Sequence, residues 1–168
     1  MHHIPIILSI ALVLTGMLSV YLSGLGFTRR NVDGAFEFGL FMISISLYIF
    51  GYAIELSHSD LPGMLDAIKM EYTGIPYMSV FLLLFVYRFV TGKRLNIALT
   101  IALFLIPVVT TLLVYTIEHH SLFYINPRVD DSKGFPVLAF EKGIFYTIRF
   151  AYQQLLAEHP GAPVMYIS

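Results

Sequence analysis

"IPIILSIALVLTGMLSVYLSGLGF", residues 4–27, is a run of 24 residues without a charged side chain. At about 1.5 Å per residue, a helix of this length extends about 36 Å, enough to cross a bilayer core of about 30 Å with some tilt. The run is longer than the roughly 7–15 apolar residues of a signal peptide, and neither Lys nor Arg precedes it. The stretch therefore predicts a retained transmembrane helix.

Three more uncharged runs follow, at residues 38–54, 72–87 and 95–117. A backbone in lipid must satisfy its own hydrogen bonds within the segment, which a helix does. The sequence therefore predicts an all-α, polytopic membrane helix bundle with four clear transmembrane helices, at about 4–27, 35–56, 64–89 and 95–117. A partial fifth helix is expected at 143–157. Arg149, Gln153, Gln154 and Glu158 interrupt its apolar character, so its crossing of the membrane is left open.

Composition supports a membrane protein, because only 12% of the residues are charged, about half the share of a soluble domain. The absence of cysteine excludes disulfides and thiolate metal sites. The sequence holds no phosphate-binding glycine loop, no H-E-x-x-H and no G-x-S-x-G motif. It also lacks a basic tract of the kind that binds nucleic acid. We therefore expect no enzyme activity in this chain, no cofactor, no metal site and no nucleic-acid partner.

Basic residues predict the orientation, since Lys and Arg concentrate in short cytoplasmic loops. The first and third loops together hold five of them and the second loop holds one, so the first and third are expected inside. The N terminus, the second loop and the long loop at 118–142 then face outward. The residues counted are Arg29, Arg30, Arg88, Lys93 and Arg94 against Lys69.

The second helix carries a polar stripe at spacings of four and three residues, which places its members on one face. Polar groups facing lipid are costly, so this face should turn toward the bundle interior. Two interpretations stay open. Either Ser44 and Gly51 serve packing while the terminal acids mark the water boundaries, or Tyr48, Tyr52 and Glu55 line an outward cavity. The stripe consists of Glu37, Phe41, Ser44, Tyr48, Gly51 and Glu55.

The third helix follows "SHSDLP", where Ser59 or Asp60 suits a helix cap and Pro62 suits the first turn. Glu71 and Gly74 share a face, and Pro76 is expected to kink the helix. A kinked helix beside Glu55 would form a pocket mouth, although packing explains the same residues.

Pro107 repeats the arrangement on the fourth helix, where neighbouring helices are expected to satisfy the carbonyl that a proline frees. The polar segment at 118–142 is expected to be an extramembrane loop with a hairpin. His119 and His120 are interpreted as part of a solvated turn. For Arg149 a helix end is favoured over a buried partner for an acid.

These residues also resemble a known family. "LYIFGYAIELSHSDLPGMLDAIKMEYTGIPYMSVFLLLFVYRFVTGK" is similar to the core of the seven-helix N-terminal input domain of bacterial sensor histidine kinases and some diguanylate cyclases. The resemblance covers residues 5–152 and places an aromatic-x-x-Gly-Tyr-x-x-Glu element at the end of the second helix. A Lys-x-x-Tyr-x-Gly element and a proline follow in the third, which ends in a TG-K/R element. The matching residues are Tyr48, Gly51, Tyr52 and Glu55, then Lys69, Tyr72, Gly74 and Pro76, then Tyr87, Thr91, Gly92 and Lys93.

The resemblance implies a sensory input module in the cell membrane, with the N terminus outside and a cytoplasmic kinase or cyclase output domain as partner in relatives. It is compatible with a homodimer and supplies no ligand. About three more helices and the output domain are absent, so a fragment or a truncated product is expected, with 153–168 as an atypical tail. The sensing candidates within the input module are Tyr48, Tyr52, Glu55 and Glu71. The kink or packing residues are Gly51, Gly74, Pro76 and Pro107. The alternative is a small multi-pass membrane subunit or transporter-like protein without a signalling role.

Overall fold

The computed structural model describes residues 3–29, 31–130 and 136–158, with side chains at 6–29, 31–130 and 136–156. Within these ranges the chain forms five α-helices and one antiparallel β-hairpin between the fourth and fifth helices. Arg30 and most of the expected tail, residues 159–168, lie outside the described residues. The elements are α1 (His3–Thr28), α2 (Ala35–Glu55), α3 (Leu61–Thr91), α4 (Ile97–Tyr115), β1 (Tyr124–Asp130), β2 (Val137–Lys142) and α5 (Ile144–Glu158).

The helical membrane bundle predicted from the sequence is confirmed. In the described part of the chain, α1 to α4 are long and apolar enough to cross a membrane. Large apolar side chains cover the outside of these helices, as lipid contact requires; Ile7, Phe89 and Ile97 are examples. The fifth element has 15 residues, about 22 Å as a helix, which is shorter than a bilayer core of about 30 Å.

Helix ends differ from the sequence expectations for local reasons. The Asp60 side chain accepts a hydrogen bond from the Gly63 amide at 3.0 Å and caps α3, which therefore begins at Leu61 and not at residue 64. At its other end α3 continues to Thr91, where Gly92 adopts the left-handed conformation (φ 66°) of a C-cap. The expected domain boundary at residue 152 falls inside α5.

Small residues allow α1, α2 and α3 to pack with close backbone contact. A Cβ atom on Gly26 of α1 would lie 2.8 Å from the Gly39 Cα atom of α2, and Ser23 donates a hydrogen bond to the Gly39 carbonyl at 2.9 Å. Between α2 and α3, a Cβ atom on Gly51 would lie 2.8 Å from the Glu71 amide nitrogen. Such contacts replace the hydrophobic driving force that helices lack in lipid.

The two ends of the bundle differ in chemistry. We call the end with the β-hairpin the hairpin end; there Tyr72 of α3 packs edge-on against Phe123, with ring centroids 5.1 Å apart, and against Tyr124. We call the opposite end the arginine end, since Arg88 pairs there with Glu37 at 2.8 Å. The structure thus bears out the expected hairpin, while the Glu37 pairing goes beyond a simple boundary role.

Both intrahelical prolines create a hydrogen bond between helices. Pro76 has no amide hydrogen to bond the Tyr72 carbonyl four residues earlier. The Thr111 hydroxyl of α4 lies 3.1 Å from that carbonyl and shares its proton with the Pro107 carbonyl of its own helix, also at 3.1 Å. Pro107 likewise frees the Leu103 carbonyl, and the Tyr152 hydroxyl of α5 donates to it at 2.6 Å. A donor from a neighbouring helix thus lies at each freed carbonyl, as expected at Pro107, and α3 and α4 continue through both prolines.

A double-mutant cycle tests the second of these bonds. Tyr152→Phe leaves the Leu103 carbonyl without a donor and should lower stability by about 1–3 kcal/mol. In a Pro107→Ala background the new amide can bond that carbonyl, so Tyr152→Phe should cost about 1 kcal/mol less. The readout is reversible unfolding in detergent. An equal cost in both backgrounds would mean that the hydroxyl stabilises the fold by some other contact.

Candidate functional site

The four sensing candidates lie together at the hairpin end of the α2–α3 pair. Tyr48, Tyr52 and Glu55 occupy the last two turns of α2, and Glu71 projects from α3 against Gly51 of α2. The Tyr48 and Tyr52 rings stack with centroids 6.3 Å apart, and both phenols lie within the electrostatic reach of Glu55 and Glu71. The helical spacing that suggested one face therefore corresponds to one cluster, which we call the tyrosine–glutamate cluster.

Glu71 is the most buried member of the cluster, with only 6% of its surface exposed. Gly51 makes this placement possible, because a Cβ atom there would lie 2.5 Å from the Glu71 Cγ atom. The Glu71 carboxyl interacts with that of Glu55, and its Oε1 atom is buried without a hydrogen-bond partner. A buried carboxyl oxygen without a partner is energetically costly, so this oxygen can accept a hydrogen bond from a further donor.

Tyr72 links this cluster to the rest of the hairpin end. It follows Glu71 in sequence and points to the other side of α3, where the Tyr124 hydroxyl donates to the Tyr72 hydroxyl at 3.2 Å. Burial raises the pKa of Tyr124, so its hydroxyl keeps its proton and can serve as this donor. Tyr72 therefore joins α3 to β1 at the position next to Glu71.

Arg149 of α5 completes the connection and is the functional candidate that sequence reasoning placed wrongly. It lies in the middle of α5 with 7% of its surface exposed, and not at a helix end. Its guanidinium carbon lies 5.3 Å from the centre of the Tyr72 ring and 5.6 Å from that of Tyr146. The Nε and Nη1 atoms are buried without a hydrogen-bond partner. The feature of the sequence that could have indicated its burial is a single basic residue within an otherwise apolar stretch of helix.

Other polar candidates are accounted for by pairing. Lys69 contacts Asp66 at 2.9 Å and Glu118 at 2.8 Å, which ties α3 to the turn after α4. His120 lies within hydrogen-bond distance of the Thr116 hydroxyl, at 3.0 Å. Nowhere in the described ranges do three or more His, Asp or Glu side chains converge on a point where a metal ion could bind.

The packing and the polar cluster define a class of protein: a multi-pass helical membrane protein with a cluster of tyrosines and carboxyls at one end of its bundle. Residues 9–158 match the family model of the N-terminal 7TM region of histidine kinase, and the chain belongs to this family. The resemblance inferred from the sequence is thereby confirmed, and the match ends with α5. Neither curated proteins nor solved structures gave a match.

Proposed function

We propose that this chain is a sensory input module whose tyrosine–glutamate cluster receives the stimulus. The observation that carries the proposal is the position of Glu71: it is buried at the α2–α3 contact, beside Glu55, and directly precedes the residue that contacts the hairpin and α5. A module of this family that only filled the bilayer would have no need of a costly buried carboxyl at this contact.

The direction of sensing is part of the proposal. The distribution of basic residues supports an exterior hairpin end and an exterior N terminus. The structure adds that Arg29, Arg88, Lys93 and Arg94 belong to the arginine end, whereas both cluster glutamates belong to the other end. An exterior solute would then meet Glu55 and Tyr52, nearer the outer end of α2, before it reaches Glu71 at the level of Gly51.

Transmission is proposed to run through α3 and α5. A stimulus that changes the Glu55–Glu71 interaction favours one arrangement of α2 against α3 over another, which is the energetic requirement for a switch. Tyr72 carries the change to Arg149. In longer members of the family, α5 would pass it to further helices and a cytoplasmic output domain. Two phenols and two carboxyls suit a cationic or hydrogen-bond-donating stimulus.

The natural absence of cysteine makes a direct test practical. Spin labels at Ser57→Cys and Thr147→Cys, two exposed positions on the α2–α3 connection and on α5, report the distance between the cluster and α5. In nanodiscs we expect two distance populations. Glu55→Gln with Glu71→Gln should change their ratio about fivefold, which a bias of about 1 kcal/mol produces.

Asp66→Asn is the matched control, because it removes one acid from an exposed position on the same helix and should leave the ratio unchanged. In a longer family member with the corresponding glutamates, the same pair of substitutions should shift kinase output. One distance distribution, identical in all variants, together with unaltered output would refute the sensing role of the cluster.

A further inference from the structure

We propose that a groove at the arginine end binds the phosphate-bearing head group of an anionic phospholipid. The groove lies where the α1–α2 connection, the start of α2 and the end of α3 meet the α3–α4 connection. It comprises a cavity of about 380 Å³ and an adjoining cavity of about 230 Å³, which share Phe36, Arg88 and Arg94. The larger cavity is also lined by Val32, and the smaller by Glu37, Leu84, Leu95, Ile97 and Thr100.

Within the described part of the chain, Arg94 supplies the groove with an unpaired positive charge. Arg88 is fixed by Glu37, whose Oε1 atom accepts from its Nη1 at 2.8 Å, and the Arg88 Nε atom lies 3.6 Å from Asp33. Arg94 has no ion pair with any side chain in the described ranges, so its charge stays available. Asp33 itself lines a different cavity, which also contains Arg29. Because Arg88 is paired with Glu37 and Asp33, the unpaired Arg94 guanidinium is the group that favours an anion, and guanidinium matches phosphate geometry.

The start of α4 adds to this potential. Helix α4 begins at Ile97, with Asn96 as its cap and no acidic residue in its first turn. The positive end of its dipole therefore lies beside Arg94 without a neutralising side chain. Basic pockets between membrane helices are suited to anionic head groups.

The apolar walls identify the occupant as a lipid and not a free anion. Phe36 and Ile97 expose 47% and 72% of their surfaces and belong to helices that cross the membrane. Together with Leu84 they continue the groove from the arginines toward the bilayer core. An acyl chain gains from burying this apolar surface, whereas inorganic phosphate does not. This inference does not depend on the sensing role proposed for the opposite end.

Native mass spectrometry of the full chain, released from phosphatidylcholine nanodiscs with increasing phosphatidylglycerol, counts the bound lipids. We expect one phosphatidylglycerol to be retained by the wild type, and Arg94→Ala to weaken this binding about fivefold or more. Lys93→Ala is the matched control: it removes the same charge one residue away, from a side chain that does not line the groove, and should change binding less than twofold.

Two further arms separate the head group from its chains. Ile97→Ser, at an exposed position, should weaken phosphatidylglycerol binding. A hydrophilic phosphate probe, glycerol 3-phosphate, should bind weakly both to the wild type and to the Ile97→Ser protein. Equal losses in Arg94→Ala and Lys93→Ala would mean general surface charge and refute the site. Glycerol 3-phosphate binding as tightly as the lipid would refute the assignment to a phospholipid.

Discussion

Gly74→Val is expected to eliminate most of the folded, monodisperse protein. A side chain at residue 74 would collide with the main-chain carbonyl oxygen of Ser44, and its Cβ atom would also lie 3.2 Å from the Leu47 Cβ atom. Ser44 is buried, and α2 with α3 forms the most extensive helix pair in the bundle. Because a backbone atom cannot rotate aside as a side chain can, the helices must separate, at a cost of about 3 kcal/mol or more.

The measurement is the amount of membrane-inserted protein that elutes as a single species in detergent, together with its thermal midpoint. Gly24→Val makes the same chemical change in α1, where no atom lies within 4 Å of the added Cβ, and should behave like the wild type apart from a small propensity effect. Gly74→Ala should fall between the two. Normal yield and midpoint for Gly74→Val would show that α2 and α3 are not in close contact at this residue.

Most of the fold follows from the sequence because membrane helices are recognised from length and charge alone. An uncharged run of about 20 residues has few alternatives in a bilayer, so α1, α2 and α4 were located to within about two residues at each end. The start of α3 was less accurate. The start of this helix is set by the Asp60 cap, a local contact that hydropathy does not detect.

The candidate site is more difficult to predict, because its properties come from contacts between helices. Periodicity places Tyr48 and Glu55 on one face of α2, but it contains no information on which helix lies opposite. The burial of Glu71 depends on the missing side chain of Gly51, twenty residues earlier. The donors to the proline-freed carbonyls, Thr111 and Tyr152, are equally remote in sequence. A single sequence cannot specify which residue is the donor, although it indicates that a carbonyl freed by proline needs a hydrogen-bond donor.

The second large effect is expected from a substitution at Arg149. Its guanidinium lies over the Tyr72 and Tyr146 rings, whose negative faces attract a cation. Two of its nitrogens are buried without a hydrogen-bond partner, and it has no ion pair in the described ranges, so the contacts with the two rings are its main favourable polar interaction there. A negative charge at the same position would be repelled by these faces and would remain unpaired in a buried site.

Arg149→Glu should therefore detach α5 from the bundle at a cost of about 3–5 kcal/mol. Hydrogen exchange in nanodiscs measures this locally: amides at 144–156 should lose protection by about 10²–10⁴-fold, while α1 to α3 keep theirs. Arg128→Glu makes the same charge reversal at an exposed position of β1 and should leave α5 protected. Arg149→Lys should lose less protection, because it keeps the cation but lacks the planar group that stacks on aromatic rings. The contrary result is that α5 exchanges as slowly in the Arg149→Glu protein as in the wild type. The apolar contacts of Tyr152 and Leu156 with α3 and α4 would then be what holds α5 in place. In that case Arg149 cannot be the link through which Tyr72 acts on α5.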